Sequence, residues 1–139
     1  MPWCTLPGMN SENKQVALVT GASRGIGEAI ARELAAAGYL VACTARSAEA
    51  VEALAEDIGG LAVPFDLMDA QATRAGLQRI EDELGPIDIL VNNAGVAASA
   101  PIDQVSDEDW HRIMEINVTA GFRLTRACVP GMIERGWGR

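Results

Sequence analysis

The sequence predicts an α/β fold, a doubly wound parallel sheet, on three observations. Short apolar runs alternate with stretches of helical period, the connections between them are short, and a glycine-rich turn joins the first run to the first helix.

Residues 15–20 (QVALVT) are mostly apolar, as expected of a strand covered on both faces. Past the glycine turn, Ile26, Ile30, Leu34 and Ala37 fall at helical spacing and Gly38 supplies the stop. Residues 39–45 make the second strand. Ser47 caps a helix striped by Val51, Leu54, Ala55 and Ile58 and closed by Gly59 and Gly60. The third strand is expected over residues 61–65. Asp69 caps a third helix, striped by Leu77, Ile80 and Leu84 and ended by Gly85 and Pro86. Residues 87–91 form the fourth strand. A loop rich in Ala and Ser runs to Ser106, which pairs with Asp109 like a capping box built with the shorter acid. From there one long helical stretch carries Trp110, Ile113, Met114, Leu124 and Met132.

A chain of 139 residues fits one domain with a real core, and 49% hydrophobic with 22% charged residues is ordinary for a globular protein. The formal net charge of −8 repels nucleic-acid phosphate and anionic lipid, so neither is expected as a partner. Cys4, Cys43 and Cys128 are odd in number and lack metal-ligand spacing, which predicts free thiols in a reducing compartment. With His111 as the only histidine, no His-based metal cluster is expected. Residues 1–14 lack a basic start followed by an apolar run and read as a loose leader rather than a signal peptide. No apolar run reaches membrane-spanning length. Together these predict a cytoplasmic protein.

The chemistry is concentrated at residues 20–27, Thr-Gly-Ala-Ser-Arg-Gly-Ile-Gly. A diphosphate seated on a helix N-terminus needs backbone N–H groups aimed at it and no side chains in the way. Gly21 allows the tight turn, Gly25 the approach of backbone to phosphate, and Gly27 the close packing of helix on strand. Ser23, Arg24 and Ile26 complete the candidate site within the turn. Such a turn also serves plain chain reversal, so it needs support from elsewhere. A nucleoside-triphosphate loop would end Gly-Lys-Ser/Thr, whereas this one closes Gly-Ile-Gly.

The end of the second strand selects the cofactor. An acidic residue there would hold the ribose 2′-hydroxyl of NAD, but the position is Arg46, and Arg24 is a second cation within reach. A charge-assisted hydrogen bond to a 2′-phosphate is worth roughly 1.5–3 kcal/mol, so even one gives about a ten- to hundredfold preference for NADP(H) over NAD(H).

These residues resemble the short-chain dehydrogenases/reductases, particularly members like the 3-oxoacyl-carrier-protein reductases. Residues 20–27 match that family's TGxxxGxG motif. The resemblance implies a Rossmann-type sheet and extends the cofactor site to Asp66 and Leu67, beside the adenine. It extends further to Asn93, Ala94 and Gly95, within an NNAG motif near the nicotinamide ribose. It also implies a catalytic role for Asn117, which in relatives breaks the regularity of its helix and holds a relay water. The long helix from Ser106 resembles one that relatives pack between subunits. A homo-oligomer through Trp110, Met114 or Leu124 follows, unless that face only covers its own sheet.

The sequence departs from the family after residues 136–139. Relatives continue into a fifth strand bearing a catalytic Ser, then a YxxxK pair, whereas here the one tyrosine is Tyr39 and the one lysine is Lys14. The domain is therefore expected to be partial, truncated after the fourth β-α unit. Without a fifth strand, Ile87, Ile89, Leu90 and Val91 are expected as an exposed apolar edge. Two functional readings follow: a parent NADP(H)-dependent reductase of a ketone or β-keto thioester whose 139-residue part is inactive alone, or a catalytically silent nucleotide-binding or interaction module.

Overall fold

The computed structural model describes residues 14–139, so the expected leader lies, except for Lys14, outside the described residues, as does Cys4. Four parallel strands, β1 (Val16–Thr20), β2 (Leu40–Thr44), β3 (Leu61–Ala62) and β4 (Ile87–Val91), form one sheet in the order β3-β2-β1-β4. Helices α1 (Gly25–Ala36), α2 (Ala48–Ile58) and α3 (Ala70–Leu84) connect them. After β4 come a short 3-10 turn (Ile102–Gln104), α4 (Asp107–Met114), a π-helical segment (Glu115–Thr119) and α5 (Ala120–Glu134). The predicted α/β class and doubly wound parallel sheet are what the chain adopts.

Strand periodicity builds a core on each face. Val16 and Leu18 of β1, Ala42 of β2 and Ile87 of β4 point to one side, with Ile80 of α3 and Leu124 and Cys128 of α5. Val19, Val41 and Cys43 point to the other, against Ala31 of α1 and Val51 and Leu54 of α2. Because both faces are covered, β1 is buried throughout, which explains its unbroken apolar run. Leu18 is fully buried, so truncating it to Ala costs about 2–5 kcal/mol.

The helix boundaries obey the local chemistry. Asp69 accepts from the amides of Gln71 and Ala72 at 2.8 and 2.9 Å, capping α3. Gly38, at φ 95°, follows the last residues of α1, and the Gly38 and Tyr39 amides bond the carbonyls of Ala35 and Leu34 in a Schellman ending. At Ser106 the hydroxyl accepts from the Asp109 amide at 3.0 Å. The shorter acid returns to that hydroxyl at 2.9 Å instead of reaching the Ser106 backbone N–H.

Four expectations need correction. Strand β3 pairs only over Leu61–Ala62, not residues 61–65: the Val63 amide still reaches the Cys43 carbonyl, but Pro64, whose ring fixes φ at about −65° rather than the roughly −120° of a parallel strand, turns the chain out of the ladder. The single long helix is interrupted by the π segment, at Asn117, where the resemblance implied a break in regularity. The β4 edge is not bare, because Ile87 is buried and the rest of the strand half-buried. Part of its backbone is also paired, with Arg139 donating to the Asp88 carbonyl and accepting from the Leu90 amide. Finally, Leu124 is only 1% exposed and covers its own sheet, while Trp110 is 55% exposed. The face pointing outward is instead lined by Trp110, Met114, Val118 and Phe122, at four-residue steps. Among the described residues, no helix is long and apolar enough to cross a membrane.

Candidate functional site

The carboxyl ends of all four strands open into one cleft of about 900 Å³. Gly21, Ser23, Arg24, Gly25, Ile26 and Gly27 line it from the β1–α1 turn, Arg46 from the end of β2, Asp66 and Leu67 from beyond β3, and Asn93, Ala94 and Gly95 from beyond β4. Every residue expected in the cofactor site thus faces the same space. Ile26, expected both on the packed stripe of α1 and in the cofactor site, is 74% exposed and lies on the cleft. It sits in the first turn, where the helix leaves the sheet.

The three glycines do different work. Gly21 takes φ 65°, and a Cβ there would stand 2.8 Å from the Ala94 Cα. Gly27 is ordinary in conformation, but a Cβ would lie 2.3 Å from the Gly21 carbonyl oxygen and 2.5 Å from the Asn93 carboxamide. Gly25 takes φ 60° with nothing among the described residues within 4 Å of its Cβ position, so that side of the turn is open. Arg24 precedes α1 in extended conformation and no side chain caps the helix. A helix N-terminus that lacks its own cap, faces a cleft and is stripped of Cβ atoms suits an anionic group.

Thr20 ties β1 to β4 and the loop after it at the floor. Its hydroxyl donates to the Val91 carbonyl at 3.1 Å and accepts from the amides of Asn93 and Ala94, both at 3.0 Å. The Asn93 carboxamide returns to the Thr20 carbonyl at 2.9 Å and the Gly21 carbonyl at 3.3 Å. Asp66 accepts from the Met68 amide at 3.0 Å and so shapes the turn after β3. Among the described residues, Arg24 and Arg46 take part in no ion pair; the cations so engaged are Arg32, Arg79, Arg112, Arg123 and Arg135.

Asn117 lies in the π segment, exposed and next in sequence to the lining residue Ile116. Its carboxamide accepts from the Val96 amide and donates to the Val96 carbonyl, each at 2.8 Å. Sequence reasoning missed Thr44, Ala45, Ser47, Ala50, Phe65, Val96 and Ile116, which also line the cleft. Most adjoin a motif residue in sequence. Thr44, however, is a strand-end residue whose buried hydroxyl has no partner among the described residues, and only the fold reveals it.

A parallel sheet of this order, with a glycine turn after its first strand and a cleft across the carboxyl ends, defines the class as the Rossmann-type doubly wound α/β proteins. Residues 15–139 match the family model described as short chain dehydrogenase, and the chain belongs to that family of oxidoreductases, which bind nicotinamide dinucleotides. It is 40% identical over 126 residues to acetoacetyl-CoA reductase of Paracoccus denitrificans, covering 90% of this chain and 52% of the relative. It is 41% identical over 133 residues to the 3-oxoacyl-acyl-carrier-protein reductase FabG of Escherichia coli (strain K12), covering 94% and 54%. Among solved structures, a short-chain dehydrogenase from Streptomyces avermitilis superposes with a TM-score of 0.87 at 36% identity, over 91% of this chain and 47% of that one. A metagenomic short-chain oxidoreductase in complex with NADP superposes with a TM-score of 0.83 at 39% identity, over 93% and 60%. The chain spans about half the length of the curated relatives it matches.

Proposed function

We propose that the cleft binds NADP(H) in preference to NAD(H), and that the whole protein transfers hydride to a ketone or β-keto thioester. The observation that carries this is Arg46 on the cleft wall at the end of β2, where an NAD-selective site needs a carboxylate. The Gly25 and Ile26 end of α1 takes the diphosphate, Arg24 and Arg46 take the 2′-phosphate, Asp66 and Leu67 border the adenine, and Asn93, Ala94 and Gly95 border the nicotinamide ribose. When bound, the cofactor supplies the hydride; these residues only bind and orient it. The names of the acetoacetyl-CoA and 3-oxoacyl reductases support the substrate class.

The 139 residues alone offer no tyrosine near the cleft, since Tyr39 precedes β2 and is the only one. We assign them cofactor binding without useful turnover, with Asn117 as the one catalytic-set residue they hold. Loss of a positioned proton donor typically costs about 10²–10⁴-fold in rate. An assembly of like chains through Trp110, Met114, Val118 and Phe122 belongs to the same reading, and sedimentation of the chain beside its Trp110→Glu variant tests it.

Calorimetry of NADPH and NADH binding to the chain and to Arg46→Asp decides the cofactor. NADPH should bind about ten- to hundredfold more tightly than NADH, and the substitution should abolish that preference. Equal affinities before and after the change would remove the case for a 2′-phosphate. Consumption of NADPH by the 139-residue chain with ketones and β-keto thioesters, at ordinary enzyme rates, would overturn the inactivity.

A further inference from the structure

We propose that the Glu115–Arg123 ion pair holds the π register of the helix, which makes these two residues positioning residues for the cleft wall at Val96. Glu115 opens the π segment, and Arg123 lies eight residues on, in α5, with its guanidinium on the Glu115 carboxylate. In an uninterrupted α-helix, eight residues turn through about 800°, so the two side chains would leave the axis about 80° apart. Seven residues turn through about 700°, only about 20° short of two full turns. A π turn closes over one more residue than an α turn, so the eighth residue takes the angular place of the seventh. The pair therefore matches the π register and mismatches the α register.

What the register decides lies at the cleft. Ile116 lines it, and the next residue, Asn117, clasps both backbone groups of Val96, itself a lining residue. Downstream, Ala120, Leu124 and Cys128 are buried beneath the sheet. Closing the π turn into an α turn would rotate one group against the other by about one residue, roughly 100°. Either the sheet contacts of α5 or the Asn117–Val96 clasp would then be lost. Since the buried apolar set is the harder to displace, the clasp yields first. π turns are uncommon within α-helices and need something to hold them, and a charge pair that fits only one register does so. Both side chains keep some exposure, so the bias is modest.

The inference uses the cleft reading above only for its affinity arm, and the experiment separates the two. Hydrogen exchange of the Val96 amide is followed by NMR in the chain, in Glu115→Gln, in Arg123→Gln and in the exchanged pair Glu115→Arg/Arg123→Glu. Arg79→Gln, which breaks a surface pair elsewhere, serves as control. Each single variant should speed Val96 exchange about threefold and weaken NADPH binding by a similar factor, while the exchanged pair and the control stay near the parent. Unchanged Val96 exchange in the single variants overturns the proposal, as does failure of the exchanged pair to restore it. If the unmodified chain binds no NADPH, the cofactor reading falls while the exchange data still judge the register.

Discussion

Thr20 and Asn93 are bonded to each other twice between β1 and the loop after β4: the Asn93 amide donates to the Thr20 hydroxyl, and the Asn93 carboxamide donates to the Thr20 carbonyl. With its proton on the Val91 carbonyl and two amides on its oxygen, the hydroxyl uses its full capacity of one donor and two acceptor sites. The β1–α1 turn and the start of the β4 loop therefore share one fixed geometry. Thr20→Val keeps the shape but leaves the part-buried Ala94 amide without its acceptor, while the Asn93 amide keeps the Val91 carbonyl at 3.0 Å. We expect a loss of about 2 kcal/mol by urea unfolding, against less than about 1 kcal/mol for Thr20→Ser. Equal costs for the two variants would show that the methyl group, not the hydroxyl, does the joining.

The glycines of the turn should separate stability from binding. In Gly27→Ala the new Cβ meets backbone and carboxamide atoms that cannot withdraw, so unfolding free energy should fall by at least about 2 kcal/mol. Gly25→Ala meets nothing within 4 Å and pays only for its positive φ, about 1–2 kcal/mol, yet its methyl group stands on the open side of the turn. Nucleotide affinity should therefore drop at least about tenfold in Gly25→Ala with modest destabilisation. Thermal unfolding and calorimetry on both variants provide the comparison, and an unchanged affinity in Gly25→Ala would mean that the turn carries no phosphate.

Much of this was legible in the sequence because it rests on local rules. Asp69, Ser47 and Gly38 punctuate helices by side-chain or backbone chemistry that a few neighbouring residues specify. The residues gathered at the cleft were legible for a different reason: each follows a strand, and parallel strands deliver their carboxyl ends to one edge. What stayed hidden depends on partners far away in sequence. Ile26 is placed by the glycine motif at the cofactor site and by helical spacing on the α1 stripe, and only the fold, where it is 74% exposed on the cleft, decides between the two. Leu124 and Trp110 lie on the same predicted helix, and their opposite fates follow from the register that the π segment sets. The pairing of Arg139 with β4 leaves no trace in local pattern.

The two described thiols should titrate against stability. Burial pushes both Cys43 and Cys128 up to about 11, from 9.0, with Glu81 adding to the effect at Cys128 and Arg135 opposing it. Folded protein then holds protons that the unfolded chain has released. The stabilising contribution is complete below pH 9 and declines as pH rises from about 9 to about 11. Urea midpoints should fall over that window, and less steeply in Cys43→Ala once the cost of the smaller side chain is subtracted. Near pH 8, iodoacetamide should label neither residue until denaturant is added. Peptide mapping reads each site separately, and rapid labelling of either in the native chain would contradict its burial.

Asp88 marks the irregularity between β1 and β4. Val16 pairs with Ile87 and Ala17 with Ile89, so Asp88 is the extra residue of a bulge. Its carboxylate supplies what the ladder omits, accepting from the Val16 amide at 3.0 Å through one oxygen. The other oxygen receives Arg135, whose guanidinium also donates to the Ile87 carbonyl at 2.8 Å. One side chain thus joins the start of β1, the start of β4 and the end of α5. Asp88→Ala leaves a part-buried amide without an acceptor and the guanidinium without its counter-charge, a loss of about 2–4 kcal/mol. Asp88→Asn keeps an acceptor for Val16 and should cost about half as much. Arg135→Ala breaks a partly exposed pair and should cost about 1 kcal/mol. In the double variant Asp88→Ala/Arg135→Ala the losses should fall short of additivity, because both single changes break the same contact. Full additivity in urea unfolding would mean that Asp88 acts through Val16 alone and that α5 is anchored elsewhere.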